Sequence, residues 1–467
     1  MNKTKKVCFK NIKACTVSWV IILAIIFSTV APVIADDVSQ IQISRWAISE
    51  LNEGEKYGIY PISWYYDGFL ENISEDKLNL LLERTAEKLA GLDLKKNEYF
   101  KPILYTADGT RKAVLTALYN LLNQYELSKI LNVKQETPIE YMQRRGILIG
   151  INKELKLEQP CTTEQAVIFA TRLISDTYEV HEGGSQGFLW KVSKGKNTIY
   201  LLGSIHVGDT NLYPISKRLK DAFEESDSLI VEANLMKQEG MNEFIQESMY
   251  TDGTSLKDHI SKETYEKFIK VIEEIKLPKE TYEQLKPWRI ANDLTLVGTT
   301  SDSKTTEAAQ QAATLGIDMY FITRAALTGK PIEELEGLKY QANLFNGLSQ
   351  EIQEEYLNGA LDNILNPQSK EALNEVDMMK TWLEQWHKGD VDGFTKSYSS
   401  IMEGSNDEFS QMLLGKRDED MASKLIQLLE SDDEGTYLVV VGSGHLVVKD
   451  TVIDQLKKKG YTVENIK

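Results

Sequence analysis

Cysteine is nearly missing from this sequence. Of 3 in 467 residues, Cys8 and Cys15 fall within the first 35 positions, and neither follows a lipobox-like Leu-small-small pattern. Once that segment is removed Cys161 stands alone, so no intrachain disulfide can form. An exported chain of this size without disulfides fits a bacterium with a single membrane better than an animal secretory protein. Basic charge is also short. Lys and Arg number 53 against 70 Asp and Glu, and the net charge of −17 argues against a nucleic-acid partner, which needs a basic face for phosphate. Histidine is scarce, with 5 residues, so a histidine pattern that occurs twice carries information. Apolar residues are plentiful, 42% against 26% charged, enough for packed cores in two domains.

The N-terminus has five lysines and no acid in MNKTKKVCFKNIK, then the apolar stretch ACTVSWVIILAIIFSTV, then APVIA before Asp36. A basic region, an apolar region and small residues at Val33 and Ala35 describe a secretory signal over residues 1–35, cleaved after Ala35. Cleavage takes the net charge from −17 to −22 by removing five lysines. The other reading is an uncleaved membrane anchor, because the apolar stretch nearly reaches spanning length. Either way the expected location is secreted, cell-wall or cell-surface.

Residues 36–180 form a module of repeated helical pattern. Segment 44–89 opens with a helix, turns at Gly58 and starts a second helix after Ser74; segment 137–174 repeats that layout, with Gly146 and Gly150 before a cap at Thr162 or Thr163. DGTRKAVLTALYNLLNQ (108–124) matches the second half of the unit. These repeats resemble the S-layer homology repeat, whose second helix opens with a Thr-Arg-Ala-Glu-like motif. The matching stretches are ISEDK (73–77), GTRKA (109–113) and CTTEQ (161–165). The resemblance implies a cell-wall polymer as partner, bound through basic residues, of which Arg111 and Lys112 are the ones supplied here. A helical spacer that binds nothing is the plainer alternative. HEGGSQG (181–187) reads as a linker, with His181 exposed in it.

Residues 188–467 read as a second domain. FLWKVSKG and NTIYLLGSIH are strands joined by the turn SKGKN; SLIVEANL (228–235) and TYLVVVGSGH are further strands, and TVIDQLKKKGYTVENI ends the chain with a helix and an edge strand. Between them, about 239–430, the pattern is helical and charged, interrupted by the strand-like KPIEELEG (330–337). The expected fold class is α/β (α+β): a central sheet with a long helical cap insert, preceded by a small all-α repeat domain.

Two of the strands end alike. GSIH and, about 240 positions later, GSGH each close an apolar run with Gly-x-x-His. Parallel strands deliver their C-terminal turns to one edge of the sheet, where ligands bind. Gly203 and Gly442 are expected to permit a sharp exit there, placing His206 and His445 on one rim, and Glu232 arrives at the end of SLIV by the same logic. Two imidazoles and a carboxylate can hold a divalent ion that acidifies water, or act without metal as an oriented general base. Mn²⁺, Co²⁺ or Zn²⁺ suits such ligands, and spacing does not choose among them.

YLLGSIHVGDTNLYP, LIVEANL, GIDMYFITRA, KPIEELEGLKYQ, LLGKRDEDMA and VVVGSGHLV resemble, in order, the blocks of the TraB/PrgY/GumN group, which is related to the Tiki proteases. The resemblance implies a sheet with a helical cap and a metal-dependent peptidase site at Gly203 with His206, Glu232, and Gly442 with His445. That family often has Arg-Asn where this chain has Arg417-Asp418, so Asp418 is either a further ligand or a neutral swap. Among secondary candidates, Asp209 is either an orienter of His206 or turn chemistry. Asp318 reads as a helix cap, and Arg417 as a carboxylate or oxyanion holder, or a charged helix start. His259 and His387 read as solvated, and Trp288, Trp382 and Trp386 as core or cap packing. The function expected is an exported metal-dependent hydrolase acting on a peptide or small-molecule substrate. The alternatives are a peptide- or haem-sequestering binding protein, with Tyr213 or the histidines as contacts, and a wall-attached interaction module.

Overall fold

The computed structural model describes residues 41–104, 108–127, 136–150, 154–299, 305–402 and 408–467. Residues 1–35, expected from sequence to be a secretory signal, lie outside them. Among the described residues no helix is long and apolar enough to cross a membrane. The described residues divide into two compact units: one of Gln186–Gly208 and Asp221–Lys467, the other of 41–185 together with Asp209–Lys220.

In the first unit six strands form one sheet in the order β4-β3-β5-β2-β1-β6. They are β1 (Phe188–Lys194), β2 (Asn197–Ser204), β3 (Ser228–Val231), β4 (Ile332–Glu334), β5 (Thr436–Gly442) and β6 (Val463–Ile466). β1 and β2 form a hairpin whose turn contains Gly195 at φ +60. β2, β5, β3 and β4 run parallel, with Thr198 opposite Thr436 and Ser204 opposite Gly442. The chemistry of the strands follows their position. NTIYLLGS and TYLVVVG, at the centre, are almost wholly buried runs, as parallel strands covered on both faces must be. The edges β4 and β6 are short and carry exposed glutamates, which blunts them against further pairing.

Among the described residues, all between β3 and β5 except β4 are helix or connection, so the insert expected from the charge pattern is present, and the α+β class is the one observed. Helix Ile317–Thr328 packs on β3 and β4, and helix Lys416–Leu429 on β2 and on helix Val452–Lys458. Trp288, Trp382 and Trp386 are all buried, and Trp386 donates its indole N–H to the Gly203 carbonyl at 2.7 Å, tying helix Lys370–Lys388 to the end of β2.

The second unit is helical. Ser74, Thr110 and Thr162 cap helices Glu75–Ala90, Arg111–Asn123 and Thr163–Val180 with their side-chain oxygens. The three capped starts meet: Ile73 N–H bonds the Cys161 carbonyl at 2.9 Å, and Cys161 N–H bonds that of Gly109 at 2.8 Å. The segment Asp209–Leu212 opens with Asp209 accepting from Asn211 N–H at 2.7 Å, so Asp209 is turn chemistry. Lys88 donates its ammonium to the carbonyls of Thr210 (2.7 Å) and Tyr213 (3.1 Å). Burial lowers that ammonium's pKa to about 8, against the opposing pull of Asp209. His181 is half-buried at the end of helix Thr163–Val180 rather than exposed, because the linker packs there. His259 is likewise half-buried, stacked on Tyr250 with ring centroids 4.1 Å apart, and His387 is half-buried at its helix end.

One buried acid in the insert makes a pH test. Glu375 accepts from Asn363 at 2.6 Å, but burial outweighs that bond and raises its pKa from 4.5 to about 7. The folded state therefore binds this proton more tightly than the unfolded chain. Its contribution is fully present below 4.5 and is lost as pH rises through about 7. At 1.36 kcal/mol per pH unit this is on the order of 3 kcal/mol. Glu375→Gln is expected to raise stability by up to that amount at pH 8 and far less at pH 5, read from urea unfolding at both; equal effects at the two pH values would contradict the assignment.

Candidate active site

The parallel pairing of β2, β5 and β3 sends three chain segments off one edge of the sheet. Ser443 N–H and Oγ–H both bond the Ser204 carbonyl, at 3.0 and 2.9 Å, so the two Gly-x-x-His turns leave together. Gly203 and Gly442 are not in a left-handed conformation, so backbone freedom is not what glycine supplies there. Gly203 instead allows close approach: a Cβ there would stand 2.9 Å from Ser443 Oγ and 3.2 Å from its Cα. Gly442 contributes its N–H, which donates to Glu232 Oε1 at 2.6 Å.

His206, Glu232 and His445 line one pocket with Tyr398, Leu413 and Leu414. Its free space, about 10 Å³, is at the threshold for a single water. All three polar residues are buried, with exposures of 9%, 4% and 3%. His206 Nδ1 lies 2.6 Å from Asp318 Oδ2, and its Nε2 is buried with no hydrogen-bond partner. His445 Nδ1 lies 2.9 Å from Asp418 Oδ1, and its Nε2 is 3.9 Å from Glu232 Oε1.

Glu232 is held from the other side. Its Oε2 accepts from Arg417 at 3.0 Å and from Gln341 at 3.2 Å. Arg417 also forks onto Glu336 with two bonds of 2.7 Å and donates to the Leu413 carbonyl at 2.9 Å. Burial by itself would raise the Glu232 pKa. The charges of His445, Arg417 and His206 and the Gly442 N–H outweigh it and hold the carboxyl well below the usual range. For His206, burial opposes the imidazolium, but the Asp318 carboxylate wins and raises the pKa.

Two expectations change here. Asp318 does begin helix Ile317–Thr328, but its carboxylate serves His206 and Ser204 rather than capping the helix. Asp418, read from sequence as a further ligand or a neutral swap, sits with one oxygen on the Gly415 N–H and the other on His445 Nδ1. Arg417 is the carboxylate holder of its two readings. Glu336, Gln341 and Gly316 are additions that the sequence reading does not contain. Glu336 lies just past β4 at the same sheet edge as the histidines, a signal available in the sequence. Gly316 is needed because a Cβ would stand 2.2 Å from the His206 carbonyl oxygen, a clash only glycine avoids.

Four carboxylates (Glu232, Glu336, Asp318, Asp418) and one guanidinium leave three negative charges before the imidazoles are counted. Such a shell favours a cation. Among the described residues, no group of three or more His, Cys, Asp or Glu side chains stands ready to hold a metal ion. The donors nonetheless suit one in kind. Each imidazole is oriented through Nδ1, Nε2 of His206 is unpartnered, and Glu232 Oε1 keeps capacity beside its one hydrogen bond.

Comparison with known proteins identifies the chain's class. The model of the TraB/PrgY/gumN family matches residues 188–465, and the chain belongs to that family. It is 23% identical over 314 residues to a protein named metalloprotease TIKI2 from Xenopus tropicalis, covering 60% of this chain and 59% of the relative. It is also 23% identical over 321 residues to a metalloprotease TIKI homolog from Nematostella vectensis (60% and 67%). A third relative, the TIKI homolog of Amphimedon queenslandica, is 22% identical over 342 residues (64% and 66%). The chain thus spans about three fifths of the first relative's length. No solved structure matches.

Arg417 is the guanidinium on which two buried carboxylates depend. Arg417→Met is expected to cost about 3–5 kcal/mol in urea unfolding; a loss below about 1 kcal/mol would show that the clamp carries little.

Proposed function

We propose that this protein is an exported metal-dependent hydrolase that cleaves peptide bonds, with His206, His445 and Glu232 at its centre. The observation that carries the reading is the convergence of both imidazoles and the carboxylate on one pocket inside a negatively charged shell. The relatives named metalloproteases favour peptide over other substrates. A divalent ion held by His206, His445 and Glu232 Oε1 would supply a Lewis acid and an acidified water. Arg417 and Gln341 occupy Glu232 Oε2, leaving Oε1, beside its bond from Gly442 N–H, for the pocket. Tyr398, Leu413 and Leu414 restrict water around the reacting groups. The pocket has room for an ion or a single water beside the imidazoles.

The test is cleavage of a peptide library, read by mass spectrometry. The wild-type protein is expected to cut and to stop on chelation, and His206→Ala or His445→Ala to fall to background. Uncut libraries under every metal would favour the sequestering alternative.

For the N-terminal unit we propose attachment to an anionic wall polymer, as its S-layer-homology-like repeats suggest. The support is a groove of about 250 Å³ lined by the exposed Trp46 and Ile149, by the buried Arg111 and by Arg172, which is paired with Glu50. Trp46→Ala is expected to weaken retention on purified sacculi at least tenfold; retention equal to wild type would remove this reading.

A further inference from the structure

The two histidines share a feature beyond the pocket they line. Each Nδ1 faces one oxygen of an aspartate, and the other oxygen of that aspartate is already committed. Asp318 Oδ1 accepts from Ser204 Oγ at 2.9 Å. Asp418 Oδ2 accepts from Gly415 N–H at 2.7 Å. The aspartates sit in the first turns of two different helices, Ile317–Thr328 and Lys416–Leu429. The first of these reaches His206 only because Gly316 lets its start touch the His206 backbone, with Ile317 N–H bonding the Ile205 carbonyl at 2.9 Å.

A carboxylate accepts and cannot donate, so the nitrogen that faces it must carry the proton. The opposite nitrogen of a neutral ring is then a bare lone pair. The surroundings agree. An N–H on His206 Nε2 would be buried without an acceptor, which is costly. His445 Nε2 is 3.9 Å from Glu232 Oε1, beyond hydrogen-bond range.

We propose that Asp318 and Asp418 are positioning residues that fix both histidines as Nδ1–H tautomers, making Nε2 of each the nitrogen presented to the pocket. The use of those nitrogens rests on the hydrolase reading; the tautomers do not. The same geometry predicts what an amide would do. In Asp418→Asn the amide oxygen must stay on the Gly415 N–H, which can only donate, so the amide NH₂ faces His445 Nδ1 as a donor and forces the proton to Nε2, a change with almost no change of shape. At Asp318 the Ser204 hydroxyl can donate or accept, so an amide there can turn its oxygen to His206, and removal of the carboxylate is the informative change.

The experiment is long-range proton–nitrogen correlation on protein labelled with ¹⁵N only at histidine, at alkaline pH where the rings are neutral, with Co²⁺ titration beside it. In the wild type both rings should be protonated at Nδ1. Asp418→Asn should switch His445 alone and leave His206 protonated at Nδ1, and Asp318→Ala should weaken Co²⁺ binding about 10–100-fold. Nε2–H on either ring in the wild type, which requires no variant to fold, would overturn the proposal. So would a folded Asp418→Asn variant whose His445 tautomer does not move. Tautomers that switch as stated in a protein that cuts no peptide uphold the positioning roles and count against the hydrolase reading alone.

Discussion

The site depends on one register: β2 lies parallel to β5 with Ser204 opposite Gly442. A shift by one residue would turn every side chain of β5 to the other face and separate the two turns that carry the histidines. Both strands are buried on both faces through their central residues, so alternation alone does not set the register. The contacts at their ends do: Ser443 on the Ser204 carbonyl and Gly442 N–H on Glu232 form only in this pairing. The same edge takes Glu232 from β3 and Glu336 from β4, one step farther out. A sheet of local pairings thus assembles groups that come from positions 206, 232, 336 and 445.

The second layer of organisation is electrostatic. Buried carboxylates are tolerated because each is answered: Glu232 and Glu336 by Arg417, Asp318 and Asp418 by an imidazole and a backbone or hydroxyl donor. Such a network is weak support for stability, since burying charge costs about what pairing returns. Its value is orientation. Arg417, fixed by three acceptors, determines which oxygen of Glu232 faces the pocket.

Much of this is legible in the sequence, for reasons that can be traced. Apolar runs with Gly-x-x-His ends mark β2 and β5, and Ser74, Thr110 and Thr162 mark helix starts, because strand burial and capping leave local signatures. The network around the histidines leaves none. Asp318 is 112 residues from His206 and Glu336 is 81 from Arg417, and ion pairs across such gaps have no spacing rule. Asp318 reads as a cap for that reason: an acid in a helix's first turn looks like one whether or not it acts as one. Gly203 reads as a turn glycine because turn freedom and close approach both select glycine, and only the neighbour Ser443 distinguishes them.

The account stands on a shared centre for His206 and His445, and elemental analysis of purified protein tests it most directly. It predicts about one divalent ion per chain in the wild type and its loss in His206→Ala and in His445→Ala separately. An ion retained in either variant, or a wild-type chain that takes up none of Mn²⁺, Co²⁺ or Zn²⁺, would contradict it.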